Sequence, residues 1–288
     1  MGILGFNKTI ISLSVGASSV TVMEAAQAGS AWELRRASSA AMQLSGPEGV
    51  RAALGRAFAS AGIRKGKVSI SFNDRISRAL VMEFKELPED RAEAGAIVAG
   101  RACKELYMRP EEMRLTYQAA PVEGGIKVFA AAVRKDAAEA YEAALHALGF
   151  NLRRITIHTL SLLALLYPRI ADERGLAVVC RLDDAFTALF YRDGVWDFYR
   201  CKAVPPGGGA AELAATFAFY RGRNPGASMG RVYLFGGDPA FNEAVSAVAG
   251  APVMPMAQEV FLRHSGQVQA GDISPMALLS ALGAGVER

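Results

Sequence analysis

IISLSVGASSVTVMEA, residues 10–25, reads as two short apolar strands joined across a turn of small residues. Ile10, Ile11, Leu13 and Val15 lead into Gly16-Ala17-Ser18-Ser19, and Val20, Val22 and Met23 lead out. A glycine-and-hydroxyl turn between two such runs predicts a β-hairpin. Its tip would expose backbone N–H groups and hydroxyls, which together can cradle an anion. An ordinary tight turn has the same appearance.

The rest of the chain bounds what that hairpin can belong to. At 288 residues, 51% hydrophobic and 21% charged, it is globular and long enough for one large domain or two smaller ones. Thirty-two basic residues against 28 acidic ones leave a net charge of +4, a mild bias. That suits a nearby anionic membrane surface and falls far short of a nucleic-acid-binding footprint. Cys103, Cys180 and Cys201 form no CxxC pair, which argues against a disulfide framework or a zinc site and for a reducing cytoplasm. His146, His158 and His264 lack metal-like spacing and read as surface or satisfied core histidines. No signal-peptide pattern precedes Lys8, and no serine or threonine follows Met1-Gly2 at the myristoylation spacing. The longest later apolar run, residues 160–167, is far below the ~20 residues a membrane helix needs. The expectation is a soluble protein that meets a membrane only through a partner.

Taken in order, residues 30–45 read as a third strand and a loop, and Gly46-Pro47-Glu48 opens a helix that Gly62 closes. KVSISF (67–72) and ISRALVMEF (76–84) read as strands around Asn73-Asp74, followed by a helix from Leu87-Pro88-Glu89-Asp90 to Leu106. Strands at 113–120 and 126–133 precede an amphipathic helix over 135–148. A strand at 151–158 leads to a buried helix, 160–167, expected to stop before Pro168. Strands at 176–182, 185–191 and 195–201 then surround Asp183-Asp184 and Arg192-Asp193-Gly194. Pro205-Pro206-Gly207-Gly208-Gly209 introduces a helix over 211–220, and RVYLF (231–235) ends at Gly236-Gly237. Helices near 241–249 and 275–282 flank a short strand near Val253. Hairpin, third strand and helix thus occur near residue 10 and again near residue 176, a weak internal duplication. Cys180 reads as an inert core thiol, and Arg35-Arg36 and Arg153-Arg154 as solvated pairs, with an anionic-lipid role the lesser alternative.

The wording and order of these elements resemble the PilM proteins of type IV pilus assembly and the cytoplasmic domains of type II secretion GspL proteins, relatives of FtsA and actin. SLSVGASSVTVMEA is similar to that family's opening phosphate hairpin. KVSISFNDRISRALVMEFKELPED looks like its strand–turn–strand and acidic helix, IKVFAAAVRKDAAEAYEAALHALGF like its strand–helix unit, and RVYLFGGDPA like its adenosine-loop strand. The resemblance implies an α/β, actin-like (ribonuclease H-like duplicated) two-lobed fold with a small α/β insertion. On it, 1–65 is the first part of one lobe, 66–134 the insertion, 135–175 the return of that lobe, and 176–288 the second lobe. It also implies a cytoplasmic scaffold at the inner face of the inner membrane. Such a scaffold holds the N-terminal tail of a PilN-like or GspM-like membrane protein, links it to assembly-motor components and binds no nucleic acid. The tail would add to a strand edge in the groove between the first lobe and the insertion at Val68–Val133.

Hydrolysis in this superfamily requires carboxylates in two phosphate hairpins to hold Mg²⁺. By the resemblance, the first acidic position falls on Ser14 and the basic position after the turn on Thr21. The second acidic position falls on Arg181 and the hairpin glycine on Asp183. No catalytic or metal-binding residue is therefore expected, and no cofactor. If nucleotide binds, its contacts are Gly16, Ala17, Ser18, Ser19, Gly208, Gly236 and Gly237, with Asp238 suited to a ribose hydroxyl. The alternative is an active ATP- and Mg²⁺-binding ATPase or sugar-kinase relative. No GxSxG, GxxxxGK[ST] or strand-borne GxGxxG is present.

Overall fold

The computed structural model describes residues 8–29, 31–42, 46–182, 184–205, 208–226, 228–264 and 273–286. Strands β1 (Thr9–Val15), β2 (Ser19–Ala28) and β3 (Ala31–Ala41) precede helix α1 (Gly46–Ala61) and strands β4 (Gly66–Phe72) and β5 (Ser77–Phe84). Helix α2 (Arg91–Leu106), strands β6 (Met113–Val122) and β7 (Gly125–Arg134), helix α3 (Lys135–Ala147), strand β8 (Phe150–Ile157) and helix α4 (His158–Ile170) follow. Next come β9 (Gly175–Arg181), β10 (Ala185–Arg192), β11 (Val195–Ala203), α5 (Ala210–Arg223) and β12 (Arg231–Phe235). The described chain closes with α6 (Pro239–Ala249), β13 (Val253–Pro255), β14 (Leu262–His264) and α7 (Pro275–Gly285).

These elements gather into two compact units. Unit 1 comprises Met1–Asn73, Glu139–Ile170 and Ala257–Arg288, and unit 2 comprises Asp74–Ala138 and Ala171–Met256. Unit 1 is built on one six-stranded sheet, in the order β14-β3-β2-β1-β4-β8. Its two faces differ because successive strand residues alternate sides. One face carries Leu13, Val15, Ile70 and Phe72, all fully buried. Helix α1 packs over β2 and β3, with Phe58 stacked on Phe150 at 3.9 Å, while Tyr141 of α3 meets Phe72 edge-on at 5.0 Å. The other face carries Ser12 and Ser14, paired in parallel register with Ser69 and Ser71. It is closed by α4 and α7, and those two helices approach so tightly that a Cβ on Gly283 would overlap the Ser161 carbonyl oxygen.

Two local expectations need correction here. Helix α4 runs through Pro168 to Ile170. The proline forfeits one backbone bond in the last turn, yet burial of Leu162, Leu166 and Ile170 holds the turn in place. Arg154 is not a solvated surface residue. Its guanidinium donates to the carbonyls of Gly283, Ala284 and Val286, satisfying the C-terminal end of α7. Burial and the neighbouring Arg153 lower its pKa.

Unit 2 holds two sheets. The five-stranded one runs β11-β10-β9-β12-β13, and the three-stranded one runs β5-β7-β6. Phe190, Phe217, Tyr220, Phe241 and Val245 form the core between the larger sheet and helices α5 and α6. Met82, Val98, Ala102, Val128 and Ala130 form a second core beneath α2. The order β3-β2-β1-β4-β8 in unit 1 repeats as β11-β10-β9-β12-β13 in unit 2. The duplication read from the sequence is therefore one of sheet topology.

Two segments lie elsewhere than the sequence suggests. Strand β4, read as the start of the insertion, is an inner strand of the unit 1 sheet, parallel to β1 and β8. Residues 257–288, read with the second lobe, cluster with unit 1, where β14 pairs with β3 and α7 covers β1.

Candidate functional site

The tip of the first hairpin is braced on three sides. The Gly16 N–H donates to the Ser19 carbonyl at 2.8 Å, the Met42 N–H to Ser18 at 2.8 Å, and the Asn73 N–H to Val15 at 2.9 Å. Ser18 is exposed, whereas Gly16, Ala17 and Ser19 are half-buried. The tight hairpin tip is thus held by the residues that follow β3 and β4.

At the position where the resemblance calls for a carboxylate, Ser14 Oγ lies 3.0 Å from Nε2 of His158, and both groups are buried. Burial drives the His158 pKa from its ordinary 6.5 down to about 4, opposed by a hydrogen bond to the Ser71 backbone. The pair is neutral at physiological pH. A hydroxyl and an imidazole offer no charge to a hard cation such as magnesium. Thr21 Oγ1, at the basic position, donates across the sheet to Ser39 Oγ at 3.2 Å. Ser71 and Ser161 hydroxyls meet at 2.8 Å in the same polar layer.

The His158 arrangement sets a pH dependence. Its folded pKa lies below its ordinary value, so between pH 6.5 and about 4 only the unfolded chain takes up this proton. Stability is full above 6.5 and falls as the pH drops, by about 3 kcal/mol over that window. Urea midpoints measured from pH 7.5 to 4.5 should fall more steeply for the native chain than for His158→Gln, which lacks the titrating group.

In unit 2 the corresponding position is Arg181, nine per cent exposed. Its guanidinium donates to the carbonyls of Ala185 at 2.9 Å and Pro205 at 3.4 Å, and lies 5.4 Å from the ring centre of Phe241. One cation thus ties the β9–β10 turn to the loop before α5. Asp184 pairs through Oδ2 with Arg75, and its Oδ1 is buried with no partner among the described residues. Asp183, Pro206 and Gly207 lie outside the described residues.

The glycines of unit 2 surround the same ring. Gly209 has φ +117°, and a Cβ there would meet Phe241 at 3.5 Å. Gly237 has φ +102°, and a Cβ there would stand 3.1 Å from Phe241 and overlap Asn242 Oδ1, which is itself buried without a partner among the described residues. Phe241 therefore fills the space that Gly209 and Gly237 leave open. Gly208 turns back on Pro205, donating to its carbonyl at 3.0 Å, and Gly236 ends β12 at φ +68°. The Asp238 carboxylate caps α6, accepting from the Phe241 N–H at 2.8 Å. The candidate contacts thus fall into two groups: Gly16, Ala17, Ser18 and Ser19 in unit 1, and Gly208, Gly236 and Gly237 in unit 2.

A buried charge cluster in unit 2 escaped the sequence reading. Asp197, on an aromatic-rich strand, pairs with Lys127 and with Arg192 at 3.4 Å, and accepts from Tyr220 Oη at 2.9 Å. Burial lowers the Lys127 pKa, opposed by Glu83 and reinforced by Arg192 and Arg223. Nearby, Tyr199 Oη donates to Asp74 at 2.9 Å. The one sequence signal was an aspartate inside the Trp196–Tyr199 run. The Cys180 thiol is buried and its pKa raised, and burial pushes Cys201 up to about 12, so neither is a reactive thiolate. Among the described residues no three His, Cys, Asp or Glu side chains are grouped to hold a metal, and no helix is long and apolar enough to cross a membrane.

No family model matches the sequence, and no curated protein matches it. Solved structures do. The protein is similar to the structure described as the PilM–PilN type IV pilus biogenesis complex, with a TM-score of 0.72, 16% identity and coverage of 96% of this chain and 95% of that one. It is also similar to the cytoplasmic domain of EpsL, an inner-membrane component of the type II secretion system of Vibrio cholerae, with a TM-score of 0.55, 12% identity and coverage of 95% and 93%. A Bacteroides thetaiotaomicron protein with an actin-like ATPase fold matches with a TM-score of 0.56, 8% identity and coverage of 88% and 94%. The chain has the actin-like fold.

Proposed function

We propose that this protein is a scaffold of a type IV pilus or type II secretion inner-membrane platform, and that it is not an ATPase. On this reading it works at the cytoplasmic face and holds the N-terminal tail of a PilN-like or GspM-like membrane protein. What supports the reading is that the two positions the resemblance assigns to carboxylates hold groups with other structural work. Ser14 is engaged with buried His158, and Arg181 braces two loops over Phe241. Neither supplies a carboxylate to hold a magnesium ion, and phosphoryl transfer depends on such an ion to neutralise the developing charge. The likeness to a PilM–PilN complex supports a PilN-like partner.

The test is a thermal melt of the full chain with two ligands. A peptide copying the N-terminal cytoplasmic tail of a PilN-like membrane protein should raise the melting temperature. Millimolar Mg-ATP should leave it flat. A nucleotide present at 100 times its Kd would add about 2.7 kcal/mol of stability, so binding of that strength is readily seen. A second reading, nucleotide binding without hydrolysis, is favoured by the intact, partly exposed tip at Gly16–Ser19. A melt raised by ATP with no phosphate release would establish it, and a melt that ignores the tail peptide would overturn the scaffold.

A further inference from the structure

The end of the unit 1 sheet opposite the hairpin tip carries cations that the hairpins do not use. Helix α1 stops at Gly62, with φ +67°. Its last turn closes as the Gly62 N–H donates to the Ala59 carbonyl at 3.0 Å and the Ile63 N–H to Phe58 at 3.1 Å. Ile63 is buried, and the two residues between it and β4, Arg64 and Lys65, are both exposed. Lys67, the second residue of β4, is exposed as well. None of these three side chains has an ion pair or hydrogen bond among the described residues.

Strand register brings two more groups to the same level. Ile11 pairs with Val68, so Lys8 and Lys65, each three residues earlier, stand at neighbouring strand starts. The Gln27 N–H donates to the Lys8 carbonyl at 2.8 Å, and Gln27 is paired with Trp32 on β3. Lys65, Lys8, Gln27 and Trp32 therefore form a row across the sheet end, spaced by about 4.8 Å from strand to strand. Glu24 and Glu33 are the only carboxylates on the six described strands of this sheet. Arg36 binds Glu24 at 2.6 Å, and Arg263 is the register partner of Glu33 on β14. Positive charge at this end is thus unbalanced, and it is spread over separate chain segments along a row. That layout suits a plane of anions, and a half-buried tryptophan is the kind of side chain that settles at headgroup level. A nucleic-acid duplex is the poorer fit, because so few cations meet few phosphates and the whole chain carries only +4.

We infer that this end of unit 1 rests directly on an anionic phospholipid surface, with Lys8, Arg64, Lys65 and Lys67 against the headgroups and Trp32 at their level. The contact stands on the charge of this end alone and does not rest on the scaffold reading or on the tail peptide of the preceding test. Each basic residue held at such a surface strengthens binding by about fivefold, and salt screens the attraction. The probe is a vesicle of phosphatidylcholine with about one-third phosphatidylglycerol, compared with phosphatidylcholine alone. In sedimentation at low salt, the full chain should bind the anionic vesicle at least tenfold more tightly, and added salt should release it. Lys65→Glu with Lys67→Glu should weaken binding tenfold or more without changing the melting temperature. Lys85→Glu with Lys104→Glu makes the same change in net charge at two exposed lysines of unit 2 and should keep the binding. In a Trp196→Phe background, brominated phosphatidylglycerol should quench the fluorescence of Trp32. Equal binding to neutral vesicles, native affinity in the Lys65–Lys67 variant, equal loss in the Lys85–Lys104 variant, an unquenched Trp32, or tighter binding to a short DNA duplex would overturn the inference.

Discussion

Gly283→Ala is expected to lower stability by about 3 kcal/mol or more, the upper range for overpacking a close contact. The added methyl would overlap the backbone oxygen of Ser161, and a backbone atom in a helix cannot swing aside as a side-chain tip can. Relief requires α7 to lift from α4, which loosens the cover over Ser12, Ser14 and Ser71 and the Arg154 contacts to the end of α7. Gly100→Ala is the matched control. It lies inside α2 with nothing within 4 Å of the added Cβ. There alanine should stabilise by up to about 1 kcal/mol through helix propensity alone. Urea unfolding of both variants checks the pair, and equal midpoints would remove close helix contact as the reason for Gly283.

Lys127→Met should cost about 3 kcal/mol, because it strips the nearest cation from a carboxylate whose side chain is only 2% exposed. Arg192 at 3.4 Å and the Tyr220 hydroxyl remain and soften the loss. The double variant Lys127→Met with Asp197→Leu should recover most of it, since exchanging both partners of a buried pair for apolar groups is often neutral. Chemical denaturation of the four proteins in this cycle gives the coupling directly. A double variant no more stable than Lys127→Met would mean that Asp197 is held for its bonds to Arg192 and Tyr220 instead.

Much of the fold was legible because its elements announce themselves locally. Apolar runs marked β1, β2 and β4, Leu87-Pro88-Glu89-Asp90 marked the start of α2, and Gly62 closed α1 at positive φ. What local pattern does not carry is the choice of partner strand. KVSISF is followed at once by another strand, yet it pairs in parallel with β1 and β8, and only tertiary contact decides that. Pro168 misled for a related reason, as buried leucines on α4 outweigh one lost backbone bond.

The resemblance named the hairpin positions but not their contacts. Ser14 and Arg181 could be set against absent carboxylates by resemblance. That Ser14 would meet His158, or that Phe241 would close the space beside Gly209, depends on residues far away in the chain. Asp197 was hidden for the same reason, because its partners lie on β7, β10 and α5.

The division of the chain also orders events in time. Unit 2 has every element it needs once residue 256 has been synthesised, whereas unit 1 waits for residues 257–288. Domains tend to fold as units while the chain is being made. The hairpin of β1 and β2 is translated well before α7, which covers its serine face. On the ribosome, these strands exist before the helix that secures them.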